Sequence, residues 1–185
     1  MAVQPKLRMT VEEFDRWVEQ TEQYNQLYEY IGGEISEVPS NAKASQYSMR
    51  IGRYISVFVD DLNLGHVTGE AGGYMIDGER YAPDVAFISK ARQSELDDRG
   101  YNHVPPELAV EVDFPTTPKS TRDLQVKLWH YQQAETVVWV VYPEDKTVVV
   151  HIPGQVPKIF GINDKLDGGA ILPGFTLALK DIFRE

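Results

Sequence analysis

Cysteine is missing from the 185-residue sequence, which removes disulfide frameworks, zinc ribbons, thiol nucleophiles and redox dithiols from consideration. Long apolar runs are missing too. The longest, Val137 to Tyr142, is far short of the roughly 20 residues that span a bilayer, and Met1 to Thr10 lacks the apolar segment of an export signal. The expectation is a chain with no leader and no membrane partner, kept in a reducing, cytoplasmic setting. Positive charge is scarce, with 18 Lys and Arg against 28 Asp and Glu and a formal net charge of -10. Non-specific coating of nucleic acid draws its free energy from basic side chains displacing counterions, so this balance argues against it while leaving local contacts open. Gly72-Gly73 lacks the Lys and Ser or Thr of a phosphate-binding loop, which argues against a nucleotide-hydrolysing motor.

What is present reads as a folded chain. With 42% hydrophobic and 25% charged residues, the composition is globular rather than disordered, and the length suits one domain, residues 1-185. Thr10 and Glu13 have capping-box spacing ahead of Phe14, Trp17, Val18 and Thr21, which predicts a short amphipathic helix. Leu27 to Ile31 and Glu34 to Val38 flank Gly32-Gly33, a hairpin signal that puts Glu29 on a strand. From about Ala42 to Leu62, Tyr47, Ile51, Ile55, Phe58, Val59 and Leu62 recur at helical spacing and predict the main packing helix. His66 to Ile76 and an apolar run around Tyr81 to Ile88 read as paired strands, and Ser89 to His103 as a surface excursion.

Leu108, Val110 and Val112 alternate with Ala109, Glu111 and Asp113, as in a half-buried strand whose second face carries two acids. A helix over about Thr121 to Gln133 follows, with Leu124, Leu128 and Tyr131 on one face and Asp123 and Lys127 spaced i, i+4. Strand signals return at Thr136 to Tyr142, Thr147 to Ile152 and Val156 to Gly161, with a turn at Pro173-Gly174 and a docked tail at Leu177 to Phe183. The expected class is α/β, with a mixed sheet flanked by helices.

Asp84, directly after Pro83, and Glu111 both interrupt apolar segments. A buried carboxylate is costly unless paired, and two placed together raise each other's pKa, so such a pair calls for a cation. Hard oxygen donors without a Cys or His pattern suit Mg2+ or Mn2+, which bridge carboxylates to phosphates and activate water for in-line attack. Lys127 is the candidate to orient or deprotonate that water. Blander roles stand beside these. Asp84 can cap a turn, Glu111 can face solvent, Lys127 can pair with Asp123, and Glu29, near a glycine turn, can be solvated. His66, His103, His130 and His151 have no ligand spacing and receive no role.

Pro83-Asp84, Glu111 and a following lysine resemble the PD-(D/E)xK nuclease superfamily. The wider frame is similar to the Uma-type restriction-endonuclease family. It consists of Tyr28-Glu29-Tyr30-Ile31-Gly32-Gly33-Glu34, Ala82-Pro83-Asp84-Val85-Ala86-Phe87, Pro106-Glu107-Leu108-Ala109-Val110-Glu111-Val112, Asp123 through Lys127 to Tyr131, Trp139-Val140-Val141 and Leu172-Pro173-Gly174-Phe175. The resemblance implies a restriction-endonuclease-like core with an N-terminal helix and hairpin. It further implies Asp84 and Glu111 as ligands of Mg2+ or Mn2+, Glu29 as a further acid, Lys127 as the catalytic lysine, DNA as substrate and a homodimer. The sequence departs from the family where Asp113-Phe114-Pro115 stands in place of the usual Leu-Ser-Pro. The implied activity is a metal-dependent endodeoxyribonuclease; the alternative is a catalytically inactive nuclease fold that serves as a DNA-binding or oligomeric interaction module.

Overall fold

The computed structural model describes residues 9-20, 27-38, 41-115 and 117-184. Thr21 of the expected first helix and most of the Met1 to Thr10 segment lie outside them. Helix α1 (Val11–Val18) starts at the expected capping box, with Thr10 and Glu13 satisfying each other's backbone N–H. The hairpin follows as β1 (Tyr28–Ile31) and β2 (Glu34–Glu37). Its two-residue turn puts Gly32 and Gly33 at φ 57° and 83°, a conformation that residues with a Cβ adopt only under strain. Helix α2 (Ala42–Asp61) buries Ile51, Ile55 and Val59 completely, each burial contributing about 1.5–3 kcal/mol.

The stretch expected as one extended segment from His66 is two strands, β3 (Gly65–Gly69) and β4 (Tyr74–Ile76). The apolar run around Tyr81 also divides. β5 (Glu79–Tyr81) pairs with β1 and β4, whereas β6 (Val85–Ser89) pairs with β3 and β7 (Leu108–Val112). Pro83, which has no N–H for a ladder, sits at this change of sheet. Helix α3 (Pro118–Gln133) begins three residues earlier than its apolar pattern suggests, because Thr117 caps it and Pro118 takes its first position.

β8 (Val137–Tyr142), β9 (Thr147–His151) and β10 (Lys158–Gly161) complete a sheet of order β10-β9-β8-β7-β6-β3, in which only β7 and β8 run parallel. A second sheet has the order β2-β1-β5-β4. β11 (Lys165–Gly168), which carries little strand signal, pairs with β12 (Leu172–Ala178). Pro173-Gly174, expected as a turn, lies within β12, where Gly174 takes φ 87°. The tail docks as α4 (Leu179–Ile182), burying Leu179 and Ile182.

The larger sheet has apolar side chains packed on both faces. Val85, Phe87, Leu108 and Val110 join Ile51, Ile55 and Val59 of α2, while Ala86, Ala109, Val138 and Val140 join Leu124, Leu128 and Tyr131 of α3. β7 is therefore buried on both sides rather than half-buried, and alternation sends Glu111 to the same face as Ala109, beneath α3. The α/β architecture, mixed sheet, N-terminal helix and hairpin agree with the sequence reading.

Candidate functional site

Three elements deliver the chemistry-bearing side chains to one place. β1 carries Glu29, β7 carries Glu111, and α3 carries Lys127 on the face it shares with Leu124, Leu128 and Tyr131. Glu29, Glu111 and Lys127 are 8%, 8% and 7% exposed, so their charges are settled within the protein. The Lys127 Nζ donates to Glu29 Oε1 at 2.9 Å and to Glu111 Oε2 at 2.8 Å. Glu29 Oε1 also accepts the Ala82 N–H at 2.8 Å, and Glu111 Oε1 accepts the Tyr131 hydroxyl at 2.8 Å. The Tyr81 ring lies 5.5 Å from the ammonium, within the range of a cation–π contact.

Asp84 stands one residue before the Val85–Val110 pair and Glu111 one residue after it, so the register brings both acids to the same end of β6 and β7. The Asp84 carboxylate is nevertheless engaged elsewhere: its Oδ2 accepts the Val112 N–H at 2.6 Å. Lys127 makes no pair with Asp123, whose partners are Lys119 and Arg122.

The electrostatics follow from burial. Burial pushes the Asp84 carboxyl up to about 6, against the opposing pull of the Val112 N–H and Lys127. Burial also pushes Glu111 up, with Lys127 opposing it and Glu29 and Asp84 adding to it. Burial works against the Lys127 ammonium, but Glu111 and Glu29 outweigh it and hold the group above the usual lysine range. Burial and the nearby Glu111 and Glu29 carboxylates raise Tyr131, which keeps its hydroxyl as a proton donor.

A family model described as "Uma2: Putative restriction endonuclease" matches residues 11–180. The chain belongs to the Uma2 family. A crystal structure described as a putative nuclease belonging to DUF820, from Anabaena variabilis, is similar with a TM-score of 0.78 over 95% of this chain and 97% of that one, at 20% identity. Likeness at that identity is likeness of fold. No curated protein matches the sequence.

The metal expectation requires correction. Among the described residues, no group of three or more His, Asp or Glu side chains is placed to hold a metal ion. The carboxylates expected to bind Mg2+ or Mn2+ have other partners: Glu111 is held by Lys127 and Tyr131, and Asp84 by the Val112 N–H. The donor set does not fit a divalent cation, which takes several oxygen ligands at short range. This overturns the expected Mg2+ or Mn2+ cofactor and, with it, a magnesium-dependent hydrolase or endodeoxyribonuclease. What the arrangement does chemically is balance charge. One ammonium is shared by two carboxylates, and each carboxylate is oriented by a further donor.

Two participants escaped the sequence reading. Tyr131 was counted only as part of an apolar face, although it follows Lys127 by one helical turn, a spacing that lets both reach the same acid. The Ala82 N–H leaves no sequence signal, because its role depends on the change of sheet between β5 and β6.

Among the described residues, no helix is long and apolar enough to cross a membrane.

Proposed function

We propose that residues 1-185 form one restriction-endonuclease-like domain that acts by binding DNA rather than by hydrolysing it. The observation that carries this reading is the double ion pair of Lys127 with Glu29 and Glu111, which commits the acids of the fold's expected cutting site to an internal partner. The residues singled out from sequence, Asp84, Glu111, Glu29 and Lys127, are then the ordering centre of the domain rather than its reactive groups.

Charge distribution supports a local contact. Between Ala42 and Val59, α2 carries Lys43, Arg50 and Arg53 and no acid, in a chain whose net charge is -10. Arg53 also lines a cleft of about 690 Å³ between α2, β3 and Asp84. Arg50 donates to the Ile182 and Arg184 carbonyls, which leaves Lys43 and Arg53 as the phosphate contacts.

Fluorescence anisotropy of a labelled duplex, titrated with salt and followed by a gel in Mn2+, tests this. Two phosphate contacts give a log–log salt slope of about -2. The expected result is intact DNA, weak binding, and loss of binding in Lys43→Ala with Arg53→Ala. Mn2+-dependent cleavage that disappears in Glu111→Gln would overturn the reading.

A second reading, an oligomeric module, has its own observation. β10 is an edge strand, and Ile159 on it and Val156 just before it are 73% and 85% exposed. Exposed apolar residues on an open strand edge invite pairing with another chain. Light scattering across a concentration series separates the two: a dimer with no DNA binding favours the second.

A further inference from the structure

The disagreement between the fold family's expected metal and this donor set points to a single residue. We propose that the Lys127 ammonium is the resident cation of the Glu29–Glu111 pair and that its presence keeps divalent ions out. The inference rests on the reading that this fold does not hydrolyse DNA through a metal, and it supplies the cause.

Two buried carboxylates converge on one nitrogen at 2.9 and 2.8 Å, the spacing of charge-assisted hydrogen bonds. Both acids survive in the sequence and both point inward, so a lost acid is not the reason that the pair lacks a metal-holding group. The ammonium already supplies the positive charge that such a pair demands.

An incoming divalent ion would have to displace this ammonium, and the ammonium has nowhere to go. Its stem belongs to α3, which is fixed by buried Leu124, Leu128 and Tyr131, and the side chain is 9% exposed. A metal entering the pair would leave the lysine buried beside a second cation, uncompensated and repelled. Mg2+ also dehydrates reluctantly, whereas the tethered ammonium is already stripped of water. Tyr131 and the Ala82 N–H hold the two carboxylates in the orientation that suits the ammonium.

Removing the charge while keeping the apolar stem should therefore create a cation site that the natural chain lacks. The test uses the 185-residue chain in millimolar Mn2+, with isothermal calorimetry and thermal melts. The natural chain and Lys127→Arg, which keeps the cation, are expected to show no Mn2+ heat and no shift in melting temperature. Lys127→Met is expected to bind Mn2+ and to melt several degrees higher in its presence. The double variant Lys127→Met with Glu111→Gln is expected to lose that gain. If Lys127→Met is unfolded without metal, Mn2+ should restore its circular dichroism signal.

A folded Lys127→Met that binds Mn2+ no better than the natural chain would overturn the inference, as would an unfolded one that Mn2+ does not restore. Either result leaves the proposed function standing. Mn2+ binding by the natural chain that is lost in Glu111→Gln overturns the inference by a different route. If Mn2+-dependent cleavage accompanies that binding, the reading of function fails with it.

Discussion

Asp84 makes the stability of the protein depend on pH. Its folded pKa of about 6 lies above the ordinary 3.8, so folding favours the protonated acid. That favourable contribution is complete below the unfolded pKa and is lost as pH rises through the folded one. Near neutrality the ionised, buried Asp84 costs at most about 3 kcal/mol. Asp84→Asn keeps an oxygen for the Val112 N–H and removes the charge. It is expected to raise the melting temperature at pH 8 and to give a clearly smaller gain at pH 4. An equal gain at both would show that desolvation of the charge is not the cause. Glu111→Gln acts in the opposite direction, because it leaves the buried Lys127 with Glu29 alone. A loss of about 3 kcal/mol in urea unfolding is expected. Adding Lys127→Met in the same chain should cost less than the sum of the two single changes, since both remove the same interaction.

Among the elements, α1 is attached through an ion pair and an aromatic cluster. The Arg80 guanidinium, nearly buried, donates to Asp15 with Nε at 2.9 Å and with the terminal nitrogen at 2.6 Å, and Phe14 is fully buried against Tyr30 and Tyr101. A two-pronged, charge-assisted contact of this kind contributes about 1.5–3 kcal/mol. Asp15→Asn is expected to speed amide hydrogen exchange across Val11–Val18 while leaving β7 protected. Unchanged exchange in α1 would mean that aromatic packing alone holds the helix. At this scale much was legible in the sequence. The Thr10–Glu13 box, the glycine hairpin and the long stripe of α2 all use short-range rules that the structure obeys. The apolar run around Tyr81 was misread as one unit, because an apolar stretch does not reveal which of two sheets each half will join. β11 was missed because Lys165 to Gly168 offers only Leu166 to the core, and its partner β12 decides its conformation.

Across the whole molecule, edges and charge decide what can approach. The larger sheet ends at β10 and β3, and β10 leaves Ile159 facing solvent. If another copy covers this edge, Val156→Lys with Ile159→Lys is expected to lower the mass seen by light scattering without changing the melting temperature. A mass unaffected by both charges would place any self-association elsewhere. Net charge of -10 makes association of copies sensitive to ionic strength, because screening weakens their mutual repulsion. DNA binding through Lys43 and Arg53 responds in the opposite sense and weakens as salt rises. One salt series therefore distinguishes the two modes of interaction.

The sequence by itself determined the α/β class, the helices and hairpin, the family frame, and the short set of residues, Glu29, Asp84, Glu111 and Lys127, from which a centre could be built. Local periodicity and turn chemistry act over a few residues, and those signals survive in one dimension. Only the tertiary structure decided what that centre is. The distance from one lysine nitrogen to two carboxylates depends on how β1, β7 and α3 pack, and no short stretch of sequence records that packing. Here Lys127 lies between Glu29 and Glu111, and the positive charge the acids require comes from the chain itself.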